Sequence, residues 1–210
     1  MFERFSSLFT ADDDVPQGGV WHDATLEAVG GYAELMGRFA GCSFDGGLYR
    51  LHSAVSGPIG QELAAAAFPE FAQRVRVFGF DWLGRQAALD FGRVADDEPQ
   101  VLLLEPGTGE ALEIPVGLEW FHDEEIVDYS NEALAAEFFA QWQAAQHGDA
   151  SLKFSECVGY KVPLFLGGAD VVENLELTDF EVYWDFCGQL RGQTRGLPAG
   201  KPIRGITVEE

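Results

Sequence analysis

Two apolar runs, 101–104 and 111–114, stand either side of Glu105-Pro106-Gly107-Thr108-Gly109. Such runs around a Pro-Gly-x-Gly segment predict a β-hairpin, because Pro presets one turn dihedral and Gly supplies the positive φ that other residues avoid. Further strands are expected at 48–52, 77–80 and 86–91, the last two around a Trp82-Leu83-Gly84 turn. The acidic segment Asp96-Asp97-Glu98-Pro99 reads as a loop between 86–91 and 101–104.

Helical spacing lies before and after these strands. Phe2, Phe5 and Leu8–Phe9 fall on one face of a short opening helix. A second helix is expected over 24–39, with Gly30–Gly31 as its weak point. Others are expected from Pro58 through the alanines toward Phe68, over 118–129, and over 131–146. Thr178-Asp179-Phe180-Glu181 fits a capping box that opens a last helix, with Leu177 and Val182 as its staple. Segment 159–168, rich in Gly and Pro, reads as a long connection over the core. Hairpin-like strands in succession, flanked by helices, argue for an α+β fold with a mixed or mostly antiparallel sheet. Beyond Gly196 an extended tail is expected.

Charge is the next constraint. The formal net charge is −22, and residues 94–152 hold fourteen Asp and Glu without one Lys or Arg. Neutralising phosphates needs the basic side chains missing there, so direct nucleic-acid binding is not expected. Such a field keeps a protein soluble, or steers a basic partner onto it. Seventeen Phe and five Trp supply a core, which excludes a disordered chain despite the charge. Three scattered cysteines make no disulfide framework, and neither a secretory signal nor a membrane span is visible, so a cytoplasmic address is expected.

The residues of chemistry are present but not assembled. His22, His52, His122 and His147 lie too far from one another and from any Cys for a zinc ladder, so no metal or other cofactor is expected. There is no Gly-x-Ser-x-Gly elbow and no phosphate-binding glycine loop. Adjacent acids such as Asp123-Glu124-Glu125 arise by chance in a chain this acidic. An enzyme would find its candidates in Asp81 and Arg85 beside Trp82, or in Lys161 with Asp170. Their plainer roles are an ion pair bracing the strand turn and a Lys satisfying loop carbonyls. The expectation is a binding protein with no catalytic residues.

One stretch carries more. The run 159–170 (GYKVPLFLGGAD), then 173–179 (ENLELTD), Val182-Tyr183-Trp184 and Cys187-Gly188-Gln189-Leu190 resembles the C-terminal domain of type VI secretion immunity proteins. Upstream, 78–85 and the 105–109 hairpin are similar to the same pattern, and 47–52 resembles the strand of a preceding GAD-like region. The resemblance spans roughly residues 40 to 192. It implies a GAD-like region over 1–72, an immunity-type domain over 73–196 packed with it as one unit, and a tail over 197–210. SUKH-type immunity proteins look like the broader structural relatives. The implied activity is to bind and block a cognate nuclease (DNase) toxin delivered between bacteria, with no catalytic residue to carry over.

The acids expected to meet a basic toxin are Asp96, Asp97, Glu98, Asp123, Glu124, Glu125 and Asp128. Trp82, Arg85, Lys161, Asp170 and Asn174 form a second candidate surface around the resembling motif. A general interaction module, or an uncharacterised enzyme with a deep pocket, are the alternatives.

Overall fold

In the computed structural model, described here over residues 1–13, 18–146 and 150–196, six strands form one antiparallel sheet in sequence order. They are β1 Ser43–Phe44, β2 Tyr49–Leu51, β3 Val75–Asp81, β4 Gln86–Ala95, β5 Glu98–Glu105 and β6 Glu110–Ile114. A second sheet pairs β7 Glu156–Tyr160 with β8 Leu175–Asp179. The helices are α1 Glu3–Leu8, α2 Ala24–Glu27, α3 Tyr32–Phe39, α4 Ser56–Ala67, α5 Leu118–Trp120, α6 Ile126–Asp128, α7 Ser130–Leu134, α8 Ala136–Ala145 and α9 Phe180–Thr194. A π-helical turn, Phe121–Glu125, joins α5 to α6. This is the expected α+β architecture with a mostly antiparallel sheet and flanking helices.

The hairpin read from the sequence is present, with Glu105 paired to Glu110 and Gly109 at φ 69°. Leu102, Leu103 and Leu104 are all buried, as a central strand covered on both faces requires. The 96–99 loop is shorter than expected. Ala95 pairs with Glu98, leaving only Asp96 and Asp97 to turn the chain, at φ 51° and 63°. Two consecutive left-handed residues are the geometry that matches strand twist in a two-residue hairpin.

Four other expectations need correction. The helix over 131–146 is two helices, because Ala135 takes φ 50° between α7 and α8. The helix over 24–39 is two helices, because Gly31 takes φ 81° and starts a new one. Thr178 does not cap α9; it lies in β8 opposite Cys157, and Asp179 Oδ1 instead accepts from Glu181 N at 2.9 Å and Val182 N at 3.2 Å. Segment 159–168 is not all connection, since its first two residues finish β7. The tail expected over 197–210 lies outside the described residues.

A bulge sets the two faces of the sheet. Val77 pairs with Ala88 and Gly79 with Ala87, which leaves Phe78 as an extra residue. Phe78 therefore packs on Phe121 and His122, while Phe80, two residues on, packs on Phe154 and Phe180. Across 72/73 the sheet is continuous, with β2 paired to β3.

Candidate functional site

Two places could carry function, and the first is a cavity of about 440 Å³. Phe80, Phe154, Phe180 and Ile59 form its apolar wall, and His52, Ser53 and Ser56 add polar atoms. Gln86 Nε2 donates to Gly60 O at 3.0 Å, so Gln86 Oε1 is an acceptor. It receives His52 Nε2–H at 3.1 Å, which leaves Nδ1 to accept from the Ser56 hydroxyl at 3.2 Å. Ser56 Oγ in turn accepts from Ser53 N at 3.0 Å.

This is the order of a nucleophile, a base and an orienting group. The electrostatics are those of a brace. Burial pulls the His52 pKa down to about 4, with the Gln86 contact opposing, so the ring is neutral and a weak base. The orienting group is a neutral amide, which offers no charge to a developing imidazolium. The chain ties α4 to β2 and β4.

The second place is the acidic segment that starts with α5. His122 is buried there; its Nδ1–H donates to Leu118 O at 2.8 Å and its Nε2 accepts from Tyr49 OH at 3.0 Å. Around that buried pivot Asp123, Glu124 and Glu125 are half-buried and Asp128 is exposed. Asp123 Oδ1 accepts from Phe5 N at 3.0 Å, and Arg4 reaches Glu124 at 2.5 Å and Asp128 at 2.7 Å. Its hydrogen bonds hold the Asp128 pKa below the ordinary carboxylate value. Asp96, Asp97 and Glu98 are exposed at the β4–β5 turn. The Glu98 carboxylate lies so close to Gly117 that a Cβ there would overlap Oε2. The structure thus brings Glu98 to the start of the acidic helical segment. Within that segment Trp120 is 63% exposed and Tyr129 56% exposed. Sequence reasoning missed both aromatics; the signal was Trp120 falling next to Glu119, out of step with the buried Leu118, Phe121 and Ile126.

The other candidate surface does not hold together. Trp82 and Arg85 are buried, not exposed. Trp82 packs on Phe138, Phe139 and Trp142 and donates Nε1–H to Leu134 O at 2.8 Å. Arg85 Nε meets Asp81 Oδ2 at 2.6 Å and Nη2 donates to Ala133 O, the bracing role named as the plainer one. Lys161 and Asp170 are not paired: Lys161 Nζ donates to Glu173 O at 2.8 Å, and Asp170 accepts from Tyr160 OH at 2.7 Å. Asn174 closes the β7–β8 connection through Val162 N, Val162 O and Ala169 O. Among the described residues no group of three or more His, Cys, Asp or Glu is placed to hold a metal ion. Nor is any helix among them long and apolar enough to cross a membrane.

Residues 119–191 match the family described as T6SS immunity protein Tdi1, C-terminal. The resemblance read from the sequence is met over that segment, which begins at Glu119 and runs into the last turns of α9. Solved structures give three matching chains. One is the crystal structure of Atu4351 from Agrobacterium tumefaciens, 14% identical, covering 90% of this chain and 89% of that one at a TM-score of 0.60. At that identity the likeness speaks to the fold. No curated protein matches.

Proposed function

We propose that the chain is an immunity protein that binds a cognate toxin of a type VI secretion system in the cytoplasm, that the toxin is a DNase, and that an acidic surface makes the contact. The match over 119–191 carries the immunity reading. The DNase reading rests on electrostatics. A DNA-cleaving groove is basic, and a protein of net charge −22 is complementary to it. The acids of the Asp96–Glu98 turn and the Asp123–Asp128 segment are the contact we assign. Complementary fields raise association rate most at low salt, because Debye screening shortens their reach as salt rises.

Co-expression with the adjacent reading frame tests this. Growth rescue, with co-purification of the two chains, supports neutralisation by binding. Absence of both overturns it. DNA nicking by the toxin alone, suppressed by this protein, would separate a DNase from other toxin chemistries.

A further inference from the structure

Trp120 presents its ring to solvent although its neighbours Leu118 and Phe121 are buried, each 1% exposed. An indole carries a large apolar area, and Trp is among the side chains most enriched as interface anchors. Its surroundings say what it fits. Glu119 precedes it, Glu124 follows one turn later, and the Glu98 carboxylate rests on Gly117, three residues earlier. Arg4 offsets Glu124 and Asp128, and among the described residues neither Glu98 nor Glu119 forms an ion pair. No Lys or Arg occurs between residues 94 and 152.

We propose that Trp120 is the anchor of the contact surface, stacking on an Arg or Lys side chain of a basic protein partner, with Glu98 and Glu119 beside it. This rests on the toxin-binding reading and deepens it by naming the side chain. Trp is the best cation–π partner, and adjacent carboxylates add direct charge pairing to the same cation. A second copy of this chain would bring a like-charged face against this one, which is repulsive. A nucleic acid would be repelled for the same reason.

The test measures binding of the purified product of the adjacent reading frame by wild type, Trp120→Ala, Glu119→Lys and Val182→Ala. Val182 is exposed on α9, outside the acidic segment in sequence, and serves as the control. Trp120→Ala is expected to weaken Kd by on the order of 30-fold, with circular dichroism and Tm unchanged. Glu119→Lys should slow association at low salt and converge on wild type at high salt. Val182→Ala should bind as wild type does. If wild type binds while Trp120→Ala keeps its affinity, the anchor is wrong and the immunity reading stands. If wild type itself fails to bind, the immunity reading falls and the anchor with it. A dimer of this chain abolished by Trp120→Ala would overturn the assignment of the occupant.

Discussion

Arg4 grips Asp128 with both terminal nitrogens, at 2.7 Å from Nη2 to Oδ1 and 2.9 Å from Nη1 to Oδ2, fixing α1 to the acidic helical segment 124 residues away. The same guanidinium also takes the Asp123 carbonyl at 2.9 Å. One cation therefore restrains the part of the surface assigned to the toxin. Replacing Arg4 with Ala leaves Glu124 and Asp128 unneutralised. Association with a basic toxin should become faster at low salt, while Tm drops slightly. Stopped-flow association across a salt series checks this; a slower rate in Arg4→Ala would place the contact elsewhere.

Acid should destabilise the fold through its buried imidazoles. Burial lowers the His122 pKa to about 4, against the opposing pull of the Leu118 carbonyl and Asp123. The unfolded ring titrates near 6.5, so between these values the unfolded chain binds the extra proton and stability falls as pH falls. A shift of this size is worth on the order of 3 kcal/mol. Chemical denaturation of wild type and His122→Gln, from pH 6.5 down to 4.5, isolates the effect, since relief of carboxylate repulsion is common to both. Parallel curves would sink the assignment.

The buried Asp81–Arg85 pair is the point where a single change should cost most. Burial raises the Asp81 pKa against the pull of Arg85, so the carboxylate depends on its partners. Arg85→Met would leave a buried charge unpaired, at about 3–5 kcal/mol. Adding Asp81→Asn to that variant should recover part of the loss, because the amide oxygen still accepts from Leu83 N and Arg85 N. Urea midpoints of the single and double variants decide it; strict additivity would mean the pair is not coupled.

The β4–β5 turn offers a change that should stabilise the chain and weaken its activity together. Asp96→Asn with Asp97→Gly keeps the left-handed turn with residues that adopt it readily. Unfolding free energy should rise by about 0.5–1 kcal/mol, the relief of about 1–2 kcal/mol of left-handed strain less the entropy that glycine adds to the unfolded chain. Toxin association should slow, since two carboxylates are lost. Unchanged association kinetics would remove the turn from the contact surface.

The sheet was legible because its signals are local: Pro-Gly-Thr-Gly between apolar runs, and alternation at Tyr49-Arg50-Leu51. What was not legible depended on partners distant in sequence. Thr178 has the right spacing for a cap, yet pairing with Cys157 holds its backbone in β8. Trp82 and Arg85 look like motif residues because they sit in a turn, but α7 supplies carbonyls that cover them. The acidic residues were legible as charge and not as geometry. Nothing in the linear chain placed Glu98 against Gly117, or showed Arg4 offsetting two of the seven candidate acids.

Several ties between the matched segment and the rest of the fold land on main-chain oxygens. Trp184 donates to Gly84 O, Arg191 to Ala67 O and Gly109 O, Trp82 to Leu134 O, Arg85 to Ala133 O and Arg50 to Glu156 O. A carbonyl is present whatever residue stands there, so at Ala67, Ala133, Leu134 and Glu156 the bond itself asks nothing of the accepting side chain, whereas Gly84 at φ 74° and Gly109 at φ 69° hold a backbone that other residues avoid. A scaffold fastened in this way leans on a few donor side chains, so changes among its outward residues can leave the docking intact.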